Sequence, residues 1–489
     1  MTSFTESWKS AQERISTENG GVTFNTSANA NVDLFFKIGA MRGQDVTRLY
    51  ASFAKAFGEN PYIATRILLW ARDVRGGAGE RKIFRDLLAW LEINNTDVLA
   101  LVIPKIPELG RYDDLFVFKT PRFQKQAMEI YEAALRAKDG LAAKWMPREK
   151  SANKNGYHLL RKYLGLSPRQ YRKVAAKLTD VVETKMCARD WENINYSHVP
   201  SVAQSRYKKA FLRHDPNGYT TYGELLVKAI TDPEIAKTVK VNAGAVYPYD
   251  VIKGVGTRGL SSSTEANVIR AQWAALPNYM GDKSILPIVD VSGSMTSRVA
   301  DGATVTCMDV AVSLGLYMAS KNKGAFNNMF MTFSSTPELV TLKGDDIVNQ
   351  IQQMATSTWG MSTDIDAALN RVLSHAVQNR VPQNEMPEFL IVLSDMEFNA
   401  AGRLTAYEKY VQDFAAKGYT APKIIWWNIQ SRQDQSPVKY NQAGAALVSG
   451  FSPSIVKSVL SGQDVTPESM MLKVIMNERY DLSLIQNVA

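Results

Sequence analysis

Cysteine is scarce in this sequence: Cys187 and Cys307 are the only two among 489 residues and lie far apart. That excludes a disulfide framework and fits a reducing, cytoplasmic setting. Histidine is almost as rare, and His158, His198, His214 and His375 are too scattered for a histidine metal cluster. No run of 18 or more apolar residues occurs, so no segment is expected to span a membrane. The opening MTSFTESWKSAQERISTENG lacks the apolar core of a signal peptide. The short patterns GxxxxGK(S/T), HExxH, CxxC and GxSxG are also missing. With no nucleophile paired to a base, the expectation is a protein that is not an enzyme.

What is present is globular: 45% hydrophobic and 21% charged residues, in a chain long enough for two to four domains. The net charge of +9 is unevenly distributed. Residues 1–283 carry 42 Lys and Arg against 29 Asp and Glu, whereas residues 284–489 carry 15 against 19. A polyanionic partner therefore belongs to the first part.

Residues 30–235 read as successive helices. In DVTRLYASFAKAF the positions Val46, Leu49, Tyr50, Phe53 and Phe57 share one helix face. PYIATRILLWARD and KIFRDLLAWLEI repeat the pattern, separated by the short breaks GENP and RGGAGE. Helices joined by short turns suggest an α-solenoid. From about residue 284 the rhythm changes. SILPIVDVS, NMFMTFSS, EFLIVLSDM, PKIIWWNIQ and GAALVSGF are strand-like apolar runs separated by helical stretches. That alternation predicts an α/β doubly wound sheet. The Gly- and Ser-rich joint at 252–267 contains GVGTRG, which matches a dinucleotide fingerprint but lacks its βαβ context.

The strand in LPIVDVSGSM ends on Asp290, with Ser292 and Ser294 at the two-residue spacing that keeps their side chains on one side. A carboxylate and two hydroxyls are hard oxygen donors suited to Mg2+ or Ca2+ rather than zinc. Taken alone, the stretch is also compatible with a strand running into a Ser/Gly turn. Thr363, in a loop before a helix, and Asp395, at the end of another apolar strand, weigh against that plainer interpretation. Asp364 and Asp366 read as solvated residues of a helix first turn.

Between Lys119 and Lys177 lie 15 Lys and Arg against four acids, interleaved with Trp145, Tyr157, Tyr163 and Tyr171. Basic charge tracks phosphates and flat rings stack on unpaired bases, so this composition suits RNA. The residues drawn from charge as contacts are Lys119, Arg122, Lys144, Arg148, Lys150, Lys154, Arg161, Lys162, Arg169, Arg172 and Lys173. Three further stretches read locally as turns and caps: RGGAGERKIF, GRYDDLF with Asp113 and Asp114 at a helix start, and DWENINYSHVPSVAQSRYKKAF.

The order DVSGSM, Thr363 loop, Asp395 resembles the metal-ion-dependent adhesion site of von Willebrand factor A domains. Together with RGGAGERKIF, GRYDDLF and the NINYSHVPSVAQ stretch, it resembles the TROVE/Ro group of RNA-binding proteins, and more closely their uncharacterised bacterial, phage and plant relatives. The resemblance implies an N-terminal extension at 1–29 and a HEAT-like helical TROVE domain at 30–283 that curls into a ring. It implies an A-type domain at 284–489. Asp290, Ser292, Ser294, Thr363 and Asp395 would hold one divalent cation, Mg2+ or else Ca2+ or Mn2+, with a position left for an acidic ligand. The expected function is a non-enzymatic ribonucleoprotein component that captures structured or misfolded non-coding RNA by its single-stranded ends. The alternative is an interaction scaffold whose metal takes an acidic residue of a protein partner. A metal-dependent nuclease is the third class, and it lacks the converging carboxylates or base that catalysis would need.

Overall fold

The computed structural model describes residues 13–179, 181–241, 246–252, 262–300, 303–333, 336–344, 346–355, 364–399, 404–461 and 464–482. The first part is helical. The helix Val46–Glu59 starts at Asp45, whose carboxylate accepts the Thr47 amide, and buries Leu49, Phe53 and Ala56. Pro61–Arg72 follows, with Asn60 capping the Ile63 amide and Pro61 at the first position, where its missing N–H is harmless. Every residue from Ile63 to Arg72 is buried, so this helix is central to the core rather than amphipathic. Arg81–Asn94 buries Ile83, Phe84, Leu87, Leu88 and Leu91 on one stripe. Farther along, the helices Pro121–Arg136, Lys154–Tyr163 and Pro168–Leu178 carry the basic run. The helices Ser201–His214 and Pro216–Thr231 form a smaller core of their own around Tyr196, Phe211, Tyr219 and Tyr222.

Arg72 and Arg85, which flank the RGGAGERKIF stretch, close on GRYDDLF as one largely buried ionic network. Arg72 Nε donates to Asp114 Oδ2 (2.8 Å) and Arg85 Nε donates to Asp114 Oδ1 (2.6 Å). Asp114 is fully buried, and Arg72 is 1% exposed. Asp114 also accepts the Arg111 amide, so the expected cap exists, but it is secondary to the two arginines. Gly77 is required because a Cβ there would fall 1.9 Å from the Trp70 carbonyl oxygen.

The second part is a six-stranded sheet. Its strands are β3 (Ile285–Asp290), β4 (Met329–Phe333), β5 (Glu338–Thr341), β6 (Phe389–Ser394), β7 (Lys423–Asn428) and β8 (Ala445–Ser449). Their spatial order is β5-β4-β3-β6-β7-β8. All neighbours pair in parallel except β5, which lies antiparallel on the outer edge of β4. β5 is the strand the sequence pattern missed, because ELVT is short and mostly exposed. All residues of β3 and β6 are buried, which is why both appear in sequence as unbroken apolar runs. The helix Cys307–Lys321 packs on β3, and Gly315 permits the contact, since a Cβ would meet Val289 at 2.4 Å.

Residues 13–24 of the N-terminal segment pack on the sheet domain. The hairpin β1 (Arg14–Ser16) and β2 (Val22–Phe24) hydrogen-bonds to the sheet domain through Gly21 N to Phe398 O (3.2 Å) and reciprocal Phe24 and Ser436 amides. The helix Ala30–Ile38 is buried along its whole length and packs on β8 and the helix Pro467–Ile475. GVGTRG lies outside the described residues.

Candidate functional site

β3 and β6 are adjacent at the centre of the sheet, so their carboxyl ends bring Asp290 and Asp395 together across 105 positions of chain. Such a crevice is where open α/β sheets place ligands. Asp290 is fully buried; its Oδ1 accepts the Ser292 amide (2.9 Å) and its Oδ2 accepts the Ser394 hydroxyl (2.5 Å). The Ser292 and Ser294 hydroxyl oxygens lie 3.0 Å apart. Asp395 is 1% exposed, and its Oδ2 is buried without a hydrogen-bond donor among the described residues. The structure thus gathers four of the five sequence-predicted ligands, Asp290, Ser292, Ser294 and Asp395, and the fifth, Thr363, lies outside the described residues.

Two buried carboxylates side by side are electrostatically frustrated. Burial, followed by the charge of Asp395, raises the Asp290 carboxyl well above its ordinary range. Burial likewise raises Asp395, opposed by the charge of Arg432 and by the neighbouring Ser294 side chain. Glu397, two residues on, is pushed up to about 7 by burial and accepts the Glu18 amide and the Gln435 side chain. Among the described residues no group of three or more His, Cys, Asp or Glu side chains is placed to hold a metal ion. A small hard dication would still fit this cluster chemically, because hydroxyl oxygens and the donorless Asp395 Oδ2 complete an all-oxygen set.

Sequence reasoning missed Arg432. Its Nη2 lies 3.5 Å from Asp395 Oδ2 and donates to Ser294 O (2.7 Å) and Ser297 Oγ (2.8 Å). It follows β7 in an undistinguished SRQDQ context, and no spacing tied it to the DVSGSM stretch. The reading of Asp364 and Asp366 as solvated is corrected in part. Asp364 caps the Ile365–Asn379 helix through the Ala367 amide, while Asp366 lies partly buried, 3.6 Å from Lys409.

The basic residues lie on the helical part. Lys119, Arg122, Arg148, Lys150, Lys154, Lys162, Arg169, Arg172 and Lys173 are exposed, whereas Lys144 and Arg161 are half-buried. Among the described residues, only Arg172 of these eleven comes within ion-pair range of a carboxylate, 4.0 Å from Glu149. The interleaved aromatics divide differently from the expectation. Tyr157 and Tyr171 are buried edge to face, 5.1 Å apart, and the Tyr171 hydroxyl donates to Pro147 O (3.0 Å). They anchor the loop that carries Arg148 and Lys150 and offer no face to a base. Trp145 lies half-buried under Arg111 (4.5 Å), which leaves Tyr163 as the exposed ring.

Fold and site define a helical protein with an attached mixed α/β domain carrying a carboxylate–hydroxyl cluster. By sequence the chain matches a family described as a domain of unknown function (DUF2828) over residues 17–108 and 133–286, just over half its length. The chain belongs to that family. Residues 284–483 match a second domain of unknown function, DUF7788. An uncharacterized protein of Acanthamoeba polyphaga mimivirus is 30% identical over 511 aligned positions, covering 94% of this chain and 86% of that protein. The solved structure of the Ro (RSR) protein of Deinococcus radiodurans aligns with 92% of this chain and 99% of its own, at a TM-score of 0.41 and 15% identity. Among the described residues no helix is long and apolar enough to cross a membrane.

Proposed function

We propose that this is a non-enzymatic RNA-binding protein whose helical part captures single-stranded ends of structured non-coding RNA. The observation that carries this reading is the set of eleven Lys and Arg, nine of them exposed, with a single distant carboxylate partner among the described residues. Cations unpaired within the protein are free to replace the counterions condensed on a nucleic acid. In this reading the basic loop at 147–154 tracks phosphates, and Tyr163 supplies the stacking face.

The α/β domain, in the same proposal, is an A-type domain that holds Mg2+ or a similar hard dication. Asp290, Ser292, Ser294, Asp395 and Thr363 would be the ligands, some of them through water. What supports it is the donorless, buried Asp395 Oδ2 beside a second buried carboxylate. The cation's chemistry there would be charge neutralisation and recognition of an acidic group. Filter binding of a hairpin RNA with a 3′ single-stranded tail, titrated with KCl, tests the RNA reading. Tight binding at low salt that weakens steeply with KCl is expected, and undetectable or salt-indifferent binding overturns it.

A further inference from the structure

Arg432 is the one basic group, among the described residues, within ion-pair range of either carboxylate of the candidate cation site. Its guanidinium is held in place from several sides. Nη2 donates to Ser294 O and Ser297 Oγ, and Nε donates to Gln430 Oε1 (3.1 Å). Nη1 lies 3.8 Å from Glu18 on the N-terminal segment. These donors fix a full positive charge 3.5 Å from Asp395 Oδ2 without satisfying that oxygen by a hydrogen bond.

The backbone under this arginine is gripped by the helical part. Arg48, on the Val46–Glu59 helix, donates through Nη1 to Ser431 O (2.9 Å) and Arg432 O (2.6 Å), and its Nη2 pairs with Asp434 (3.1 Å). Ala40 accepts the Ser431 amide at 3.0 Å. The aim of the Arg432 side chain at Asp395 therefore depends on how the helical part seats against residues 431–434.

We infer that Arg432 is a positioning residue for the cation site: a tethered counter-ion that opposes divalent-cation binding and ties the occupancy of the site to the seating of the helical part. This rests on the cation reading proposed above. A resident positive charge partly neutralises Asp395 and repels an incoming dication, and at this range and depth the repulsion is only weakly screened. When a cation binds, the contacts of Arg432 loosen, and the strain passes to Ser431 and thence to Arg48.

The test is Mn2+ titration of the full chain, read by electron paramagnetic resonance of free Mn2+, with circular dichroism melting to confirm that each variant folds. Arg432→Gln, which keeps hydrogen-bonding capacity and removes charge, is expected to bind Mn2+ about tenfold more tightly than the wild type. Arg432→Lys, which keeps the charge, stays within about twofold of the wild type on the same electrostatic argument. Arg48→Gln tightens binding in the same direction by a smaller factor. Unchanged or weaker Mn2+ binding in Arg432→Gln overturns the counter-ion role, and an unmoved Arg48→Gln overturns the link to the helical part. If neither wild type nor Arg432→Gln binds Mn2+, the cation reading itself falls, and this inference falls with it.

Discussion

The loop between Trp145 and the Lys154–Tyr163 helix offers a sharp test of RNA capture. Arg148, Lys150 and Lys154 are exposed there, and none lies within ion-pair range of a described carboxylate. The loop's shape does not depend on their charges. Tyr171 holds Pro147 O, Asn153 Oδ1 caps the Gly156 amide, and Ser151 bonds the Arg148 carbonyl. Replacing all three by Gln should therefore leave the melting temperature within about 1 °C, as surface changes away from packed features do. Each phosphate contact on a single strand contributes about 0.7 to the slope of log affinity against log salt. Losing three contacts lowers that slope by about 2, and over a fourfold change in salt the two proteins diverge by roughly 20-fold. Fluorescence anisotropy with a labelled 20-nucleotide single strand, from 50 to 200 mM KCl, measures both slopes. If the triple variant keeps the wild-type slope, this loop does not touch phosphate and the surface assignment is wrong.

Four further outcomes follow from the buried charges. Asp290→Asn removes the repulsion with Asp395 while keeping an acceptor for the Ser292 amide, so the metal-free protein should melt higher at neutral pH. The same variant should lose any Mn2+-induced rise in melting temperature, and a rise equal to that of the wild type would place the ion elsewhere. The pH dependence has a defined sign. The folded-state carboxyls of Asp290 and Asp395 are raised, so the unfolded chain ionises first, and metal-free stability falls as pH climbs from the ordinary carboxylate range towards neutrality. Thermal melts of wild type and Asp290→Asn at pH 5 and pH 7.5 check this, and a difference between them that does not widen at the higher pH contradicts it. Finally, Asp114→Asn leaves Arg72 buried without its counter-charge and should cost about 3–5 kcal/mol in urea denaturation. A loss below about 1 kcal/mol would mean that Arg72 finds another partner or water.

Much of the candidate site was legible in the sequence because its carboxylates sit at the ends of buried parallel strands. Such strands appear as unbroken apolar runs, and an Asp closing one of them is conspicuous, as Asp290 and Asp395 are. The basic run was equally legible, since charge is additive along a chain. Aromatic residues were less so. Tyr157 and Tyr171 share their composition with a stacking platform, yet helix phase turns both inward, while Tyr163 stays at the surface.

By itself, then, the sequence determined the two-part organisation, the strands of the sheet core, the carboxylates and hydroxyls at the strand ends, and the basic character of the helical part. These are local properties, carried by period, run length and charge. Tertiary structure alone decided that β3 and β6 lie side by side, that the N-terminal hairpin joins the sheet domain, and that GRYDDLF closes on Arg72. It also decided that Arg432 faces Asp395 from a loop whose backbone the helical part holds. Each of these is a long-range pairing between residues with no shared local pattern. Their partners are selected by burial, where an unpaired charge or polar group is too costly to leave alone.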